Sequence, residues 1–302
     1  MTDAVVADGS IHTLQTVAFV GLGMMGRPMA GHLVRAGFTL RAADTSEAML
    51  DAFCTEYPAA IRCSSVAEAA KGAEVFVTML PDGRIVRRVA LDAGLKRGQL
   101  LLDMSSSAPL GTRALGEELA RTGVDMVDAP VSGGVAKAKT ATLAIMAGGT
   151  QAQVERARPV LEKLGAKIIA TGSLGSGHAM KALNNYVSAA GLAAAAEALL
   201  VARAFGLDPA VMTDVLNAST GKNNATENKL KQHILSGTFA SGFAMDLMAK
   251  DLATAGDLAK ALGVPTPFAE ECVSLWSEAS KQLPKADHTA IFRFLEELKT
   301  QA

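Results

Sequence analysis

A lysine and an asparagine four residues apart, Lys181 and Asn185, could together perform chemistry on an alcohol. If the segment is helical, this spacing places both side chains on one face, about one turn of ~5.4 Å apart. Lys181 lies near the predicted helix start and precedes an uncharged stretch. Desolvation and the positive helix end would lower the pKa of such a lysine, and a neutral lysine can accept a proton from a hydroxyl. A lysine that only extends its ammonium group into solvent is the alternative interpretation.

A glycine-rich turn between an apolar run and an amphipathic segment predicts a dinucleotide site. Val17–Val20 leads directly into the pattern G-x-G-x-x-G. The first glycine permits a tight turn, the second lets the backbone approach a pyrophosphate, and the third allows a helix to pack closely on the sheet. The position between a strand and a helix makes this otherwise common pattern specific. The predicted cofactor loop comprises Gly21, Leu22, Gly23, Met24, Met25 and Gly26.

An acidic residue follows the second apolar run at the distance expected for ribose recognition. Asp44 lies 18 residues after Gly26, where a carboxylate can accept hydrogen bonds from the ribose hydroxyls. Neither Thr45 nor Ser46 is basic, so a 2′-phosphate would meet an uncompensated negative charge. The pattern favours NAD over NADP, although an ordinary surface aspartate would satisfy the same spacing.

Three more polar segments follow apolar runs. Leu80–Gly83 and Asp103–Ser107 come directly after predicted strands, at the sheet edge where ligands bind in open α/β folds. They are candidates for the walls of a nicotinamide site, although ordinary loops between strands and helices have the same composition. Ser132 precedes Gly133 and Gly134, and a hydroxyl beside two unhindered backbone amides suits a carboxylate.

Four motifs, in this order along the chain, resemble the signatures of the β-hydroxyacid dehydrogenase family, which includes 3-hydroxyisobutyrate dehydrogenase. They are Gly21–Gly26, Asp128–Gly134, Gly175–Asn185 and Gly242–Asp251. The match extends from about Thr16 to about Phe294, nearly the whole chain. The resemblance implies an α/β fold with an N-terminal Rossmann-type doubly wound sheet, an all-α C-terminal domain joined by a long interdomain helix, and homodimers or homotetramers.

The resemblance also implies roles for individual residues. Lys181 would be the catalytic acid/base, Asn185 would position the reacting hydroxyl, and Lys250 would reach over the cofactor and the substrate. The implied site for the substrate carboxylate comprises Ser132, Gly133 and Gly134. The implied contacts of the nicotinamide half are Leu80, Pro81 and Ser106.

The sequence departs from the family pattern at two places that bear on the substrate. The family loop often reads S-G-G-x-x-G-A-x-x-G-T-L, but Val135–Leu143 lacks both later glycines. Lys137 at the first of these positions is similar to the subgroup that acts on four-carbon sugar acids such as threonate. Asn224 lies in a polar segment where 3-hydroxyisobutyrate-type enzymes tend to carry an aromatic residue. Both Lys137 and Asn224 are therefore candidate substrate-binding residues, and they favour polar substrates.

The predicted function is the reversible NAD-dependent oxidation of a 3-hydroxy carboxylic acid to its semialdehyde or keto acid. The substrate stays open between a 3-hydroxyisobutyrate-like acid and more polar ones: a threonate-type sugar acid, tartronate semialdehyde, 2-(hydroxymethyl)glutarate or sulfolactaldehyde. Imine reduction and a non-catalytic NAD-binding scaffold are further alternatives. Imine-reducing relatives generally lack both the lysine and the carboxylate-binding loop, and some non-catalytic relatives have lost the lysine, so Lys181 together with Asn185 favours the dehydrogenase.

The elements that must position these residues follow from the apolar pattern. Apolar runs alternate with helix-like segments up to about residue 172, which predicts βαβ units and a mainly parallel, doubly wound sheet. The predicted strands are Thr16–Val20, Thr39–Ala43, Val75–Met79, Leu100–Asp103, Asp125–Val127 and Leu143–Ala147. The predicted helices between them lie near 24–36, 46–54, 65–70, 84–92 and 109–122.

Beyond residue 177 the pattern is helical throughout. The predicted helices are His178–Phe205, closed by Gly206, then Asp208–Asn217, Thr226–Leu235, Met245–Leu262 and Phe268–Lys281. We therefore expect an NAD-binding domain at 1–174, beginning with a loose leader at 1–15, and an all-helical substrate and dimerisation domain at 175–302.

Composition and charge exclude other classes of protein. Of the 302 residues 49% are apolar, which excludes a disordered chain. With 29 basic and 30 acidic residues the formal net charge is −1, which argues against a nucleic-acid partner bound through its phosphates. Only 4% of residues are aromatic, which argues against a stacking platform for bases.

Cysteine, histidine and hydropathy patterns favour a soluble cytoplasmic protein without a metal. The three scattered cysteines form no C-x-x-C pair, and the histidines lack ligand spacing. The uncharged stretch Ala182–Ala196 has 15 residues, fewer than the ~20 that span a membrane. Residues 1–15 lack the basic region of a signal peptide. His178, three residues before Lys181, is expected at the surface of a helix start, with a place near the cleft as the alternative.

Overall fold

The protein is described here by a computed structural model covering residues 16–301, so the predicted leader at 1–15 lies outside the described residues. Within that range the chain forms one nine-stranded sheet followed by a helical region. The strands are β1 Thr16–Val20, β2 Thr39–Ala43, β3 Ile61–Arg62, β4 Val75–Thr78, β5 Leu100–Asp103, β6 Asp125–Asp128, β7 Val131–Ser132, β8 Leu143–Gly148 and β9 Gly165–Gly172.

The helices before residue 175 cover the sheet, and those after it form the helical region. The first group is α1 Gly26–Arg35, α2 Glu47–Glu56, α3 Val66–Ala70, α4 Gly83–Asp92, α5 Pro109–Ala120, α6 Gly134–Lys139 and α7 Gln151–Leu161. The second group is α8 Ser176–Phe205, α9 Pro209–Ala218, α10 Asn224–Asn228, a π-helix at Leu230–Leu235, α11 Met245–Ala261, α12 Pro267–Gln282, a 3₁₀ turn at His288–Ala290 and α13 Ile291–Gln301.

The strand order is β3-β2-β1-β4-β5-β6-β8-β7. Strand β9 lies outside this path and pairs with β8 in parallel. The pairs from β3 to β6 are parallel, whereas β8 runs antiparallel to β6 and β7. This confirms the predicted doubly wound, mainly parallel sheet. Because parallel strands end at one edge, the segments after β1, β4, β5 and β6 all emerge on the same side of the molecule.

Both faces of the sheet are covered by helices. In β4 the side chains of Val75 and Val77 belong to the apolar core on one face, and Phe76 belongs to the core on the other face. All four residues of β4 are buried. This agrees with the continuous apolar run in the sequence, since a strand buried on both faces has no polar side to alternate with.

The sequence predicted the long central strands well and the peripheral elements poorly. All six predicted strands are confirmed with ends that differ by at most one residue. The two-residue strands β3 and β7 were missed, as was β9, whose residues are mostly exposed and lack an apolar pattern. Helices α6, α7 and α13 were also missed, and the predicted helix at 226–235 is in fact split between α10 and the π-helix.

The helical region packs around α8. One face of α8 buries Ala189, Leu192, Ala196 and Leu199 in a core that also contains the fully buried Trp276. Among the described residues α8 is the one helix that is long and apolar enough, by length and composition, to cross a membrane, and 39% of its most apolar window is buried. Counting uninterrupted uncharged residues in the sequence underestimated that length. Its apolar character is used in the packing of the helical core.

Candidate active site

The cofactor loop has the backbone geometry of a phosphate cradle. Gly21 has a φ of +99°, which favours glycine, and the Cβ that any other residue would place at Gly26 would collide with the Gly21 carbonyl oxygen. A Cβ at Gly23 would meet no atom within 4 Å, so the space above this residue is open to a ligand. Of the residues between them, Leu22 is buried and Met24 is exposed. The tight turn, the open space and the helix start that follows fit a pyrophosphate.

Asp44 lies directly after β2 and is held against the glycine loop. Its Oδ2 accepts a hydrogen bond from the Leu22 amide at 2.6 Å, and its Oδ1 accepts one from the Ser46 amide at 2.8 Å. Each carboxylate oxygen can accept a further bond, so the side chain is oriented and still has capacity for ribose hydroxyls. Together with the glycine loop, Asp44 fits an NAD molecule bound across the end of the sheet.

Lys181 lies in the second turn of α8 with its ammonium group directed at the sheet. Nζ donates at 2.9 Å to the carbonyl oxygen of Val131, which directly precedes Ser132–Gly134, the predicted carboxylate loop. Burial lowers the pKa of Lys181 below the ordinary lysine value, Asp251 opposes this shift, and Lys250 adds to it. A lysine in this environment can lose its proton more easily than one in water, as the sequence predicted from the uncharged surroundings.

Asn185 is oriented by a carboxylate that the sequence analysis did not assign. Its Nδ2 donates to Oδ2 of Asp251 at 2.6 Å, and Ser106 Oγ donates to Oδ1 of the same aspartate at 2.7 Å. Asp251 is 2% exposed. It thus links the α8 side chain to the loop after β5. The signal in the sequence was an acidic residue directly after Lys250 inside a recognised motif, but only the fold shows what its carboxylate contacts.

Lys250 reaches from α11 to two loops of the sheet. Its Nζ donates to the carbonyl oxygens of Pro81 at 3.0 Å and Ser106 at 2.9 Å. In the first of these loops the Leu80 amide donates to Ser105 Oγ at 2.9 Å, which ties the loops after β4 and β5 together. Leu80, Pro81 and Ser106, which were predicted to contact nicotinamide, therefore lie in two adjoining loops, and Lys250 of the helical region is hydrogen-bonded to both loops.

The predicted carboxylate loop presents glycines in left-handed conformations. Gly133 has a φ of +128° and Gly134 a φ of +62°. The side chain of Lys137 covers Gly133 so closely that a Cβ there would collide with it. Lys137 is exposed, and so is Asn224 at the start of α10, whose cap is the neighbouring Asn223. The structure thus places Lys137 at the loop, whereas it shows no contact between Asn224 and the other predicted residues.

The prediction that His178 is a surface residue is wrong. The side chain is 1% exposed, and Nδ1 lies 2.8 Å from Thr112 Oγ1. The sequence suggested a surface position because histidine at a helix start is commonly solvated. The first turn of α8 is instead covered by the ends of β5 and β6, which the sequence alone could not place there.

Models of two protein families match consecutive parts of the chain. The NAD-binding domain of 6-phosphogluconate dehydrogenase matches residues 16–172. The domain described as NAD-binding of NADP-dependent 3-hydroxyisobutyrate dehydrogenase matches residues 175–295.

Several individual proteins are similar over almost the full length. 2-(Hydroxymethyl)glutarate dehydrogenase from Eubacterium barkeri is 36% identical, over 93% of this chain and 95% of that protein. 3-Sulfolactaldehyde reductase from Escherichia coli is also 36% identical, over 88% of this chain and 90% of that protein. The structure of 3-hydroxyisobutyrate dehydrogenase from Mycobacterium tuberculosis with L-serine superposes with a TM-score of 0.88 at 34% identity, covering 94% of this chain and 99% of that one.

Proposed function

Because the chain belongs to the β-hydroxyacid dehydrogenase family, whose members are NAD(P)-dependent oxidoreductases acting on CH–OH groups, we propose that Lys181 is its general acid/base. The reaction is the reversible oxidation of a 3-hydroxy carboxylic acid to its semialdehyde or keto acid. The observation that carries the proposal is the position of the Lys181 ammonium group. It has a lowered pKa, donates to the Val131 carbonyl oxygen beside the carboxylate loop, and interacts electrostatically with Asp251 and Lys250, which bind the loops at the nicotinamide end.

Each residue of the site has a defined task in this proposal. The substrate carboxylate accepts hydrogen bonds from the backbone amides of Ser132–Gly134. Asn185, held by Asp251, donates to the substrate hydroxyl with its second N–H. Neutral Lys181 keeps one N–H on the Val131 carbonyl oxygen and uses its lone pair to take the hydroxyl proton. Bound NAD supplies the hydride acceptor. In the reverse direction protonated Lys181 returns the proton to the carbonyl oxygen.

The cofactor site favours NAD over NADP. The Asp44 carboxylate is fixed by two backbone amides, and no lysine or arginine lies among residues 44–47 to neutralise a 2′-phosphate. Lys250, Leu80, Pro81 and Ser106 line the nicotinamide end. Initial rates with NAD and with NADP at matched concentrations test this preference, and equal kcat/KM values would contradict it.

The substrate is a polar 3-hydroxy acid that carries either a second acidic group or several hydroxyl groups. Lys137 adds an exposed cation at the carboxylate loop. The names of the similar proteins include a dicarboxylate and a sulfonate substrate. A 3-hydroxyisobutyrate-like acid is the second candidate, supported by the structural likeness to the mycobacterial enzyme.

A screen of NADH formation and consumption tests both candidates. The acids are 3-hydroxyisobutyrate, glycerate, threonate, 2-(hydroxymethyl)glutarate and serine, and the aldehydes are sulfolactaldehyde and tartronate semialdehyde. We expect the largest kcat/KM with a substrate from the polar group. Tight NAD binding without turnover of any of them would instead favour a cofactor-binding scaffold, and turnover of cyclic imines alone would favour imine reduction.

We also propose that the enzyme is cytoplasmic and forms a homodimer or homotetramer. Large apolar side chains remain exposed on α8, among them Phe205 at 82%, Val201 at 68% and Val187 at 67%. Exposed apolar side chains of this size support an interface between copies. The three free cysteines are compatible with a reducing compartment. Light scattering of the wild type and of Phe205→Glu tests for the oligomer, which the charge should weaken.

A further inference from the structure

A buried polar cluster lies one helical turn before Lys181 and has no part in the mechanism above. The ring of His178 lies between two carboxylates, with Nε2 3.6 Å from Oδ2 of Asp103 and Nδ1 3.6 Å from Oδ2 of Asp128. All three side chains are at most 1% exposed. Burial of two carboxylates and an imidazole is costly unless each group is compensated, so the cluster requires an explanation.

Asp103 anchors the loops at the nicotinamide end. Its carboxylate accepts hydrogen bonds from Thr78 Oγ1 at 2.9 Å, from the Ser105 amide at 3.0 Å and from Ser107 Oγ at 2.8 Å. The residue between these two serines is Ser106, which Lys250 and Asp251 hold from α11. The buried Asp103 carboxylate therefore fixes the loop after β5, and Lys250 of the helical region donates to the backbone of the same loop.

Asp128 anchors the first turn of the catalytic helix. Its carboxylate accepts from the Gly175 amide at 2.7 Å and from the His178 amide at 2.8 Å. A Cβ at Gly177 would lie 2.9 Å from Oδ2 of Asp128, so glycine is needed for this close approach. Asp128 is also the last residue of β6, and the chain continues directly from it into the predicted carboxylate loop.

His178 is the group that joins these two anchors. Its backbone is bound to Asp128, its Nδ1 contacts Thr112 Oγ1, and its Nε2 faces Asp103. Within the described part of the chain Nε2 is a buried atom without a hydrogen-bond partner, and Oδ2 of Asp103 lies 3.6 Å from it. In the tautomer that carries its N–H on Nε2, Nδ1 accepts from Thr112 Oγ1 and the ring points a positive end at Asp103, which offsets part of the buried negative charge.

We propose that His178 is a positioning residue for Lys181, holding the start of α8 so that the lysine ammonium group stays at the Val131 carbonyl oxygen beside the carboxylate loop. This inference rests on the proposed role of Lys181. The two residues are three apart, a rise of about 4.5 Å along the helix, so a shift of the first turn moves the lysine with it. A misplacement of about 1 Å at a reacting group can cost about 10²-fold in rate.

Two variants separate positioning from mere folding. His178→Leu removes every polar contact of the ring, and His178→Gln retains an amide that can reach Thr112 or Asp103. We expect His178→Leu to lower kcat at least about 30-fold, with the KM for the hydroxy acid and the Kd for NADH within about threefold. His178→Gln should recover most of the loss. Rates are expressed per NADH-binding site, so that unfolded protein does not count.

The pH profile is the second readout. The groups that face Lys181 are the Val131 carbonyl oxygen from β7, and Asp251 and Lys250 from α11. If the lysine moves away from this desolvated position, its pKa rises. The pH limb, which is the rising part of the curve of oxidation rate against pH, then shifts to higher pH in His178→Leu. An unshifted limb with wild-type kcat per NADH site would overturn the proposal, as would equal losses in both variants without a shift.

Two further variants, Thr112→Val and Lys181→Ala, complete the test. Should His178→Leu not fold, Thr112→Val removes the hydroxyl at Nδ1 with little change in volume and should give a smaller loss with the same direction of limb shift. An unshifted limb in Thr112→Val would count against the proposal. Lys181→Ala measured in parallel tests the proposed function by itself: wild-type turnover in that variant would refute the role of the lysine, whatever the His178 variants do.

Discussion

The two ends of the site are built in different ways. The cofactor end consists of backbone atoms and one carboxylate from residues 21–44, and its key contact joins Leu22 to Asp44. The catalytic end joins side chains that are distant in sequence: Ser106 and Asp251 are 145 residues apart, and Lys181 and Val131 are 50 apart. The first kind of site depends on local backbone geometry, whereas the second depends on how the helical region docks on the sheet.

Loss of Lys181 should separate the two ends most strongly. Lys181→Ala removes the proposed acid/base, and general acid–base catalysis contributes about 10²–10⁴-fold, so we expect kcat to fall by about that factor. The Kd for NADH, measured by fluorescence titration, should stay within about twofold, because the hydrogen bond of Lys181 goes to Val131 and the cofactor phosphates are expected at the glycine loop. Turnover close to that of the wild type would contradict the assignment.

The pH dependence should report on the catalytic end alone. Oxidation requires neutral Lys181, so its rate should rise about tenfold per pH unit up to the lysine pKa, which burial lowers from 10.5. Reduction requires the protonated lysine and should fall as the pH rises through the same value. Rates in both directions from pH 6 to about 11 check the sign, and a limb at or above the ordinary lysine value would be the contrary outcome.

Asp251 is the test of whether side chains from distant segments act together. Asp251→Asn presents an amide where Asn185 and Ser106 both donate, and it removes a charge that raises the pKa of Lys181. We expect kcat to fall about 10–100-fold and the pH limb to move to lower pH. Asp257→Asn, an exposed aspartate on the same helix, is the matched control and should behave like the wild type.

Asp44 provides the corresponding test at the cofactor end. Asp44→Ala removes a charged acceptor for two backbone amides and for ribose hydroxyls, so the KM for NAD should rise about tenfold or more, since such bonds contribute about 1.5–3 kcal/mol. The preference over NADP should shrink because the repulsion of a 2′-phosphate is lost. The kcat at saturating NAD should change little. A kcat loss as large as that of Asp251→Asn would erase the distinction between the two ends.

The smallest expected effect concerns strain beside the carboxylate loop. Ala141 has a φ of +55°, a left-handed conformation that costs a non-glycine residue about 1–2 kcal/mol. Ala141→Gly should raise the free energy of unfolding by up to about 1 kcal/mol after the entropy cost of glycine. The same substitution at Ala136, within α6, should lower it by about as much. Denaturant melts of both variants check the sign, and destabilisation by Ala141→Gly would show that the loop carries no strain.

The cofactor end could be predicted from the sequence more completely than the catalytic end, because its residues lie close together along the chain. The strand, the glycine spacing and Asp44 lie within about thirty residues, so each could be recognised from local pattern. His178 was misplaced and Asp251 went unassigned because their partners come from other elements. Lys181 and Asn185 were recognised through their spacing, but the Val131 carbonyl oxygen that holds the lysine was not.

The sequence by itself determined six of the nine strands, the change from an α/β to an all-α pattern along the chain, the cofactor loop and the family. Those properties follow from apolar periodicity and from glycine positions, which act over a few residues. Only the tertiary structure decided the orientation of Asn185, the hydrogen bonds of Lys250 to two loops and the burial of His178. The physical reason is that burial and hydrogen-bond partners depend on which distant segments meet, and no local pattern records those meetings.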